Sequence, residues 1–442
     1  MKRRAFLKGA SLGAAALAFP RPARAGAGDK VILGAIGIGG RCSTLIRGLS
    51  SRPDVEFACL ADVDPSRGGE ALKQLRDRGQ SPARVADFRR LLDDRAVDGV
   101  VIGTPDHWHG PAAILACQAG KHVYVEKPPS HNVWEGRKMV EAARRYRRAV
   151  QVGTQNRSAP YVRKALDYIR NGSLGKVHLV KVFNLKSGGG PFRAAPACEP
   201  PPGLDYDRWL GPAPARPFSP SHFHGSWHAW WDYSGGDMAD DGIHQLDIAR
   251  WLIGKDFPRA VTASGGKLAH PESDAEVPDT QVVTYEYDDL LMTFELTEWA
   301  PYMDKIAGDI RDGDLFPYWP QCATRIEVYG TKGLMFLGRH GGGWQVFTRG
   351  KQVSRPGEVV AQEFGRFPDP DHQADFIDAI RKERLPNADI EEGHRSAVLV
   401  HLANIATRLG GRRLVFDGKT ETIAGDPEAN RLLKRDYREG YA

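Results

Sequence analysis

The 442-residue sequence predicts an α/β fold in two parts, a doubly wound parallel sheet followed by a mainly antiparallel sheet flanked by helices. Three observations carry this. Residues 30–42, KVILGAIGIGGRC, pass from an apolar strand segment through a cluster of glycines into a helix-like segment. From there to about residue 128, short β-branched runs alternate with helical ones. Beyond residue 259, alternating apolar and polar runs recur at the spacing of antiparallel strands with one buried face.

Residues 1–25 stand apart. Arg3-Arg4-Ala5-Phe6-Leu7-Lys8 is a twin-arginine pattern, an Ala/Leu/Gly segment runs to Phe19, and Ala23-Arg24-Ala25 is a small-x-small cleavage site. That apolar segment is too short for a membrane span. The expectation is a signal peptide and a mature chain in the periplasm or otherwise exported. The segment also accounts for the charge. The chain has 61 Lys and Arg against 55 Asp and Glu, a formal net charge of +6. Lys2, Arg3, Arg4, Lys8, Arg21 and Arg24 all lie in the segment, with no acidic residue, so the remainder is formally neutral. Neither nucleic acid nor an anionic membrane is expected as a partner. The five cysteines have no C-x-x-C spacing, and Cys42, Cys59 and Cys117 sit in apolar contexts that predict buried thiols. A bridge from Cys198 stays open.

In chain order, Val31-Ile32-Leu33 is strand chemistry, Gly34, Gly37, Gly39 and Gly40 follow, and Leu45, Ile46 and Leu49 have helical spacing. VEFACLADVD (55–64) closes a βαβ unit whose turn can hold a pyrophosphate on backbone N–H groups. Gly37 permits the tight turn and Gly39 a close approach to phosphate. The third glycine of G-x-G-x-x-G falls on Cys42, a departure at the packing position. Asp62 ends the second strand, where a carboxylate binds ribose hydroxyls and repels a 2′-phosphate, which favours NAD over NADP. A polar helix (66–78), a helix from Phe88, the strand 97–102, a helix (110–119) and the strand 122–125 complete the sheet. Gly103-Thr104-Pro105 and Glu126-Lys127-Pro128 fall at strand carboxyl ends, where ligands of such sheets sit. This part is bounded at 26–150, and 151–442 forms the second.

A helix at 131–149, a strand and turn at 150–156, a helix at 161–170 and a strand from Lys176 to Asn184 lead into a segment, 187–235, rich in Pro, Gly and aromatics. So long an irregular stretch predicts a wall or lid of a substrate site, with an Ω-like loop or an oligomer contact as the alternative. Strands follow at 259–267, 281–287, 290–296, 324–329, 333–337 and 344–348, then helices at 372–382 and 392–409.

Within GGDMADDGIHQLDIARWL (235–252), helical spacing puts Asp240, His244 and Asp247 on one face, where a carboxylate can orient an imidazole as a general base. Asp247 is either a support to that pair or a solvated helix charge. Lys127 projects toward a nicotinamide, whose positive charge, with partial burial, is expected to depress its pKa. His107 and His109, or His222, His224 and His228, have no matching ligand spacing for zinc, so no metal is expected.

GIGG, Asp62, GTPDHWH (103–109), EKP (126–128), GTQNRS (153–158) and DDGIHQLDIARW (240–251) together resemble the Gfo/Idh/MocA oxidoreductases, of glucose–fructose oxidoreductase and inositol dehydrogenase type, over nearly all of the mature chain. The resemblance implies an N-terminal Rossmann domain and a C-terminal α/β domain with a large open-faced sheet that serves as the oligomer contact of a homo-dimer or homo-tetramer. It implies NAD, with NADP as the alternative, held by Gly37, Gly39, Gly40, Arg41, Asp62, Thr104, Pro105, His109, Glu126 and Lys127. Lys127, Asp240 and His244 are then the catalytic trio, and Asn156, Trp230, Tyr233, Asp240 and His244 contact the substrate. The activity implied is hydride transfer between the nicotinamide and a hydroxyl of a sugar, glycoside or cyclitol, with redox-neutral glycoside cleavage as the alternative. Which of Lys127 and His244 is the ultimate base stays open.

Overall fold

A computed structural model describes residues 30–188, 190–349 and 357–441. The expected signal segment, 1–25, lies outside the described residues. Strands β1 (Val31–Ile36), β2 (Val55–Ala61), β3 (Ala83–Val85), β4 (Gly99–Ile102), β5 (His122–Val125) and β6 (Val150–Val152) form one sheet in the order β3-β2-β1-β4-β5-β6. Every pairing in it is parallel. Helices α1 (Gly40–Ser50), α2 (Gly69–Asp77), α3 (Phe88–Asp93), α4 (His109–Gln118) and α5 (Val133–Arg145) make the crossovers. β4 and β5 are buried at every residue, which is why they read as unbroken apolar runs rather than alternating ones. The strand order reverses between β1 and β4, and that reversal opens a crevice at their carboxyl ends.

The glycine turn departs from the usual pattern in a compensated way. Cys42 is fully buried in α1, and a Cβ built on Gly103 would sit 2.7 Å from the Cys42 Cβ. The small residue needed for close helix–sheet packing has moved from the helix to the end of β4.

The second sheet has ten strands. After α6 (Pro160–Arg170) come β7 (Val177–Leu185), a long connection containing α7 (Tyr206–Leu210), and α8 (Ile243–Ile253). Then follow β8 (Ala260–Gly266), β9 (Thr280–Glu286), β10 (Leu291–Thr297), α9 (Gly308–Arg311), β11 (Arg325–Gly330), β12 (Leu334–Gly338), β13 (Trp344–Phe347) and β14 (Val359–Glu363). Helices α10 (Asp369–Arg381) and α11 (Ile390–Arg408), strands β15 (Leu414–Asp417) and β16 (Thr422–Ile423), and α12 (Pro427–Arg431) complete the described chain. The order is β14-β13-β12-β11-β7-β10-β9-β8-β15-β16, antiparallel except for β7 beside β10. α8 and α11 cover one face, and both are buried nearly all round. The other face is open, so Val282 and Leu291 are exposed while Val283 and Met292 beside them in sequence are buried. Phe376, Ile377 and Ile380 of α10 return to pack with α1 and β1.

Two sequence expectations change here, and the alternative of a bridge from Cys198 is closed. The 187–235 segment is not simply irregular: Trp209, Leu210, Phe218, Phe223, Trp230 and Tyr233 pack on one another as a small core of their own. The helix of the DDGIHQLD stretch opens with a π turn, Met238–Gly242, before α8, so Asp240 and His244 do not have regular α-helical spacing. All five cysteines are free, with Cys198 exposed and the others buried.

Candidate active site

One cavity of about 590 Å³ runs along the carboxyl ends of β1, β2, β4 and β5 and reaches into the second sheet's side of the molecule. Gly37, at φ +74°, ends β1, and a Cβ there would meet the Thr104 backbone nitrogen at 2.7 Å. By contrast, Cβ atoms built on Gly39 and Gly40 would meet nothing within 4 Å. These glycines leave room for a ligand at the N-terminus of α1, whose first turn has no side-chain cap. Asp62 Oδ2 accepts from the Ile38 N–H at 2.8 Å and Oδ1 from Asp64 N–H at 2.9 Å, which fixes the carboxylate at the cavity wall. Burial nonetheless raises its pKa. An anion cradle on backbone N–H groups with a carboxylate one strand away fits a dinucleotide. Arg41 lines the same wall, but its guanidinium is committed to Glu126 at 3.0 Å and to Asp369 at 2.8 Å. It is a strut between the two halves, and it reaches the cavity while so engaged. The His109 ring is locked between the Pro128 and Thr104 carbonyls (2.7 and 2.9 Å), so it ties the β4 and β5 turns together.

At the far end Lys127, at the end of β5, meets Asp240 of the π turn in a close ion pair. Lys186, whose Nζ pairs with Asp237, lies 3.8 Å from the second Asp240 oxygen. Burial would raise the Asp240 carboxyl, but Lys127, His228 and Lys186 outweigh it and hold the group well below the usual carboxylate range. Burial works against the Lys127 charge too, yet Asp240 and Asp106 reverse the balance and its pKa is raised. The expected depression of Lys127 is therefore corrected, because its counterion is built in. His244 also lines the cavity, with Nδ1 buried and unpartnered. Burial first and the Arg339 charge second keep its imidazole neutral, well below the usual pKa. Asp240 makes no hydrogen bond to His244 among the described residues, so the carboxylate serves Lys127 and not the imidazole.

The cavity thus brings together Gly37, Gly39, Gly40, Arg41, Asp62, Thr104, Pro105, His109, Glu126, Lys127, Asp240 and His244. It leaves out three expected substrate contacts. Asn156 is buried and donates to the Tyr161 hydroxyl (2.8 Å) and the Arg339 carbonyl (2.9 Å). Trp230 donates from Nε1 to the Ser221 carbonyl at 2.9 Å, and Tyr233 is fully buried against Trp209 and His107. The Trp230 indole N–H and both rings are spent inside the loop's own core, while the Tyr233 hydroxyl is buried there without a hydrogen-bond partner. That loop still borders the cavity, through Trp209, His224, Trp227 and His228. Asp247 is neither solvated nor at the site: both its oxygens lie 2.9 Å from Arg157 Nε, and it accepts from Ser396 at 2.6 Å. No cluster of three or more His, Cys, Asp or Glu side chains suited to a metal occurs among the described residues. His224 pairs with Asp64, and His222 packs its ring on Trp230.

Reading the motifs missed Lys186, Lys305, Arg311, Arg339 and Phe367, which with Asp241 of the DDGIHQLDIARW stretch complete the far wall. The missed residues come from four separate places in the chain, and no short spacing announces them.

The loop is tied down from two sides. Asp205 N–H donates to the Val63 carbonyl at 3.0 Å, at the end of β2, and Trp108 Nε1 donates to the Arg208 and Trp209 carbonyls at 3.0 Å. Near the C-terminus, Arg435 donates to the His107 carbonyl (2.6 Å) and Arg438 to the Gly211 carbonyl (2.9 Å), while Tyr441 packs edge-on to Trp108. A cationic donor held in place by a carboxylate, a neutral imidazole and an anion cradle in one cleft form a site for moving a proton beside a bound dinucleotide.

Comparison with known proteins agrees. Residues 31–154 match the family profile described as "Oxidoreductase family, NAD-binding Rossmann fold", and 177–312 with 348–442 match "Oxidoreductase family, C-terminal alpha/beta domain". The chain is 26% identical over 291 residues to scyllo-inositol 2-dehydrogenase (NAD(+)) of Bacillus subtilis (strain 168), covering 66% of this chain and 68% of that one. It is 35% identical over 133 residues to a glycosyl hydrolase family 109 protein of Stenotrophomonas maltophilia (strain K279a), covering 28% of this chain and 29% of the relative. The fold superposes on a levoglucosan dehydrogenase in complex with NADH and levoglucosan with a TM-score of 0.63, at 20% identity, covering 86% of this chain and 98% of that one.

Proposed function

The chain belongs to the Gfo/Idh/MocA oxidoreductase family, an NAD-dependent enzyme acting on CH–OH groups, and from that premise we propose that its substrate is a sugar, glycoside or cyclitol hydroxyl oxidised between Lys127 and His244. The observation that carries this is the opening of the glycine turn and the Lys127–Asp240–His244 cluster into one cavity. NAD, when bound, supplies the hydride acceptor. Gly37, Gly39 and Gly40 would cradle its phosphates and Asp62 would take the ribose, while Thr104, Pro105 and Glu126 line the wall between them and Lys127.

Lys127 enters the reaction as an ammonium, because Asp240 keeps it protonated. It donates to the substrate oxygen and stabilises the charge that develops there. His244, neutral and with a free ring nitrogen, accepts or relays the hydroxyl proton. Asp240 positions Lys127. The division between base and electrophile rests on the geometry: Asp240 pairs with Lys127, whereas His244 lines the same cavity with its Nδ1 unpartnered.

The tied-down loop over the cleft supports slow nucleotide release, and hence a cofactor carried by the protein. That property suits export, which the twin-arginine pattern of residues 1–25 motivates. The open face of the ten-stranded sheet supports a homo-dimer or homo-tetramer, to be read from mass in solution. The same retained nucleotide, with the glycosyl hydrolase family 109 relative, favours a second reading: oxidation of a sugar hydroxyl, loss of the proton from the acidified neighbouring carbon with departure of the glycosidic group from the carbon beyond it, addition of water across the resulting double bond, and return of the hydride.

One experiment tests the first reading and separates it from the second. The purified protein is denatured and its released nucleotide identified by mass and absorbance; the native protein is then offered a panel of sugars, cyclitols and aryl glycosides. Net absorbance at 340 nm supports the dehydrogenase. Aglycone release with no net NADH, and deuterium uptake from solvent beside the oxidised carbon, supports the redox-neutral route. A protein that binds neither NAD nor NADP refutes both.

A further inference from the structure

The far wall of the cavity carries more positive charge than its own carboxylates neutralise. Lys127 and Lys186 are matched by Asp240 and Asp237. Lys305 and Arg339 share one carboxylate, Asp241, at 3.6 and 3.4 Å. Arg311 has an exposed Asp312 at 4.0 Å, feels the Asp369 carboxylate that Arg41 already pairs, and stacks on Phe367 with its guanidinium carbon 4.2 Å from the ring centre; Arg339 lies 5.5 Å from the same ring. The three cations and Asp241 all line the cavity that holds His244.

Arg339 is the informative member. Its side chain is 8% exposed, and its Nε is buried without a hydrogen-bond partner. Burying a guanidinium with an unpaired donor is costly unless a further acceptor arrives. The fold spends bonds on holding it there: Asn156 donates to the Arg339 carbonyl at 2.9 Å and Tyr161 to that of Gly338 at 2.7 Å. A planar fork on a fixed backbone beside a second guanidinium and a mobile ammonium suits a multidentate anion. Neutral hydroxyls would leave the excess charge unanswered.

We propose that the substrate carries an anionic group, a carboxylate or a phosphate ester, received by Arg339, Arg311 and Lys305. This rests on the reading of the substrate as a polyol ring oxidised at Lys127 and His244, and it names the class of that ring: a sugar acid or a sugar phosphate. Asn156 acts as a positioning residue for Arg339.

The test is equilibrium binding to the NAD-loaded full-length protein, by calorimetry, with matched trios of a neutral sugar, its uronate and its 6-phosphate in the gluco, galacto and manno series. One anionic member of a series should bind at least tenfold tighter than its neutral parent, and the advantage should shrink as salt rises. The uronate and phosphate arms separate the two sources of charge. Arg311→Gln combined with Lys305→Gln, both at solvent-accessible positions, should weaken the anion by about 10- to 100-fold while changing the neutral sugar less than threefold. Arg339→Gln should do the same if it folds, but the exposed pair keeps the test independent of that. Equal or tighter binding of neutral sugars, or equal loss of both classes in the double variant, overturns the proposal. Neutral sugars that reduce the bound NAD as well as the anions do would leave the oxidoreductase reading standing and remove this one. Failure of every sugar to bind removes both.

Discussion

Lys127 and His244 show how the same burial gives opposite results for two neighbouring bases. Burial disfavours charge on each, but only Lys127 has a carboxylate against it, so the lysine stays charged and the imidazole stays neutral. Lys127→Met should lower kcat/KM by about 10²- to 10⁴-fold, with nucleotide binding retained. The pH profile of kcat should lack an inflection near 6.5, where a free histidine would titrate; an acid limb there would contradict the neutral assignment of His244. Asp106 offers a stability test nearby. It is buried and accepts from Ser234 at 2.6 Å, and burial pushes its carboxyl up to about 8 from 3.8. Between those values the folded chain holds one proton more than the unfolded chain, so Asp106 makes stability fall as pH rises from about 4 to 8. Asp106→Asn should flatten that part of the profile, as measured by denaturant unfolding at pH 5, 7 and 9.

At the scale of elements, the parallel sheet was legible because β1, β2, β4 and β5 are short buried runs ending in Gly37, Asp62, Gly103 and Glu126, and chemistry accumulates at those ends. The rim of the second sheet was not. β14, Val359–Glu363, has an exposed or half-exposed residue at every position, so it carries no alternation, and β15 and β16 are too short to show a period. Trp230 and Tyr233 misled because an aromatic in a long loop reads as a ligand contact whether it faces a cleft or its own loop. Asp240 and His244 were found, but the π turn between them broke the spacing on which their pairing was argued. Lys305, Arg311 and Arg339 were invisible, since only the tertiary fold brings Lys305 and Arg339 to Asp241 and Arg311 beside them on Phe367. The α1–β4 contact carries a prediction of its own. Gly103→Ala should cost about 1–3 kcal/mol by overpacking against Cys42, and clearly less in a Cys42→Gly background. Denaturant midpoints of the four proteins of that cycle check it; additive costs would mean the two positions do not pack together.

For the whole molecule, the cleft is a joint product of both sheets. The first sheet supplies the cradle and Lys127, the second part of the chain supplies Asp240, His244 and the cationic wall, and Arg41 bridges Glu126 of one to Asp369 at the start of α10. The aromatic loop and the 435–441 segment span the nucleotide end of that joint. Arg438→Ala would remove the bond to the Gly211 carbonyl and the ion pair to Asp207. It should speed release of bound nucleotide by about three- to tenfold, the effect of roughly 1 kcal/mol on a closing contact, with little change in unfolding midpoint. Release followed by NADH fluorescence after dilution into excess NAD checks this, and an unchanged rate would mean the loop does not gate the cleft.

The displaced cysteine gives the molecule an internal clock. Cys42 lies under the cradle and is wholly enclosed, and burial pushes its thiol far above the reactive range, whereas Cys198 is exposed. A thiol reagent should therefore modify Cys198 at once and Cys42 only when the turn swings open, so that the slow phase of Cys42 labelling, separated by peptide mass from that of the buried Cys59, Cys117 and Cys322, counts openings at the floor of the nucleotide site. Saturating NAD should lengthen that phase in proportion to its occupancy, which turns a structural substitution in α1 into a gauge of how firmly the cofactor holds its own seat shut.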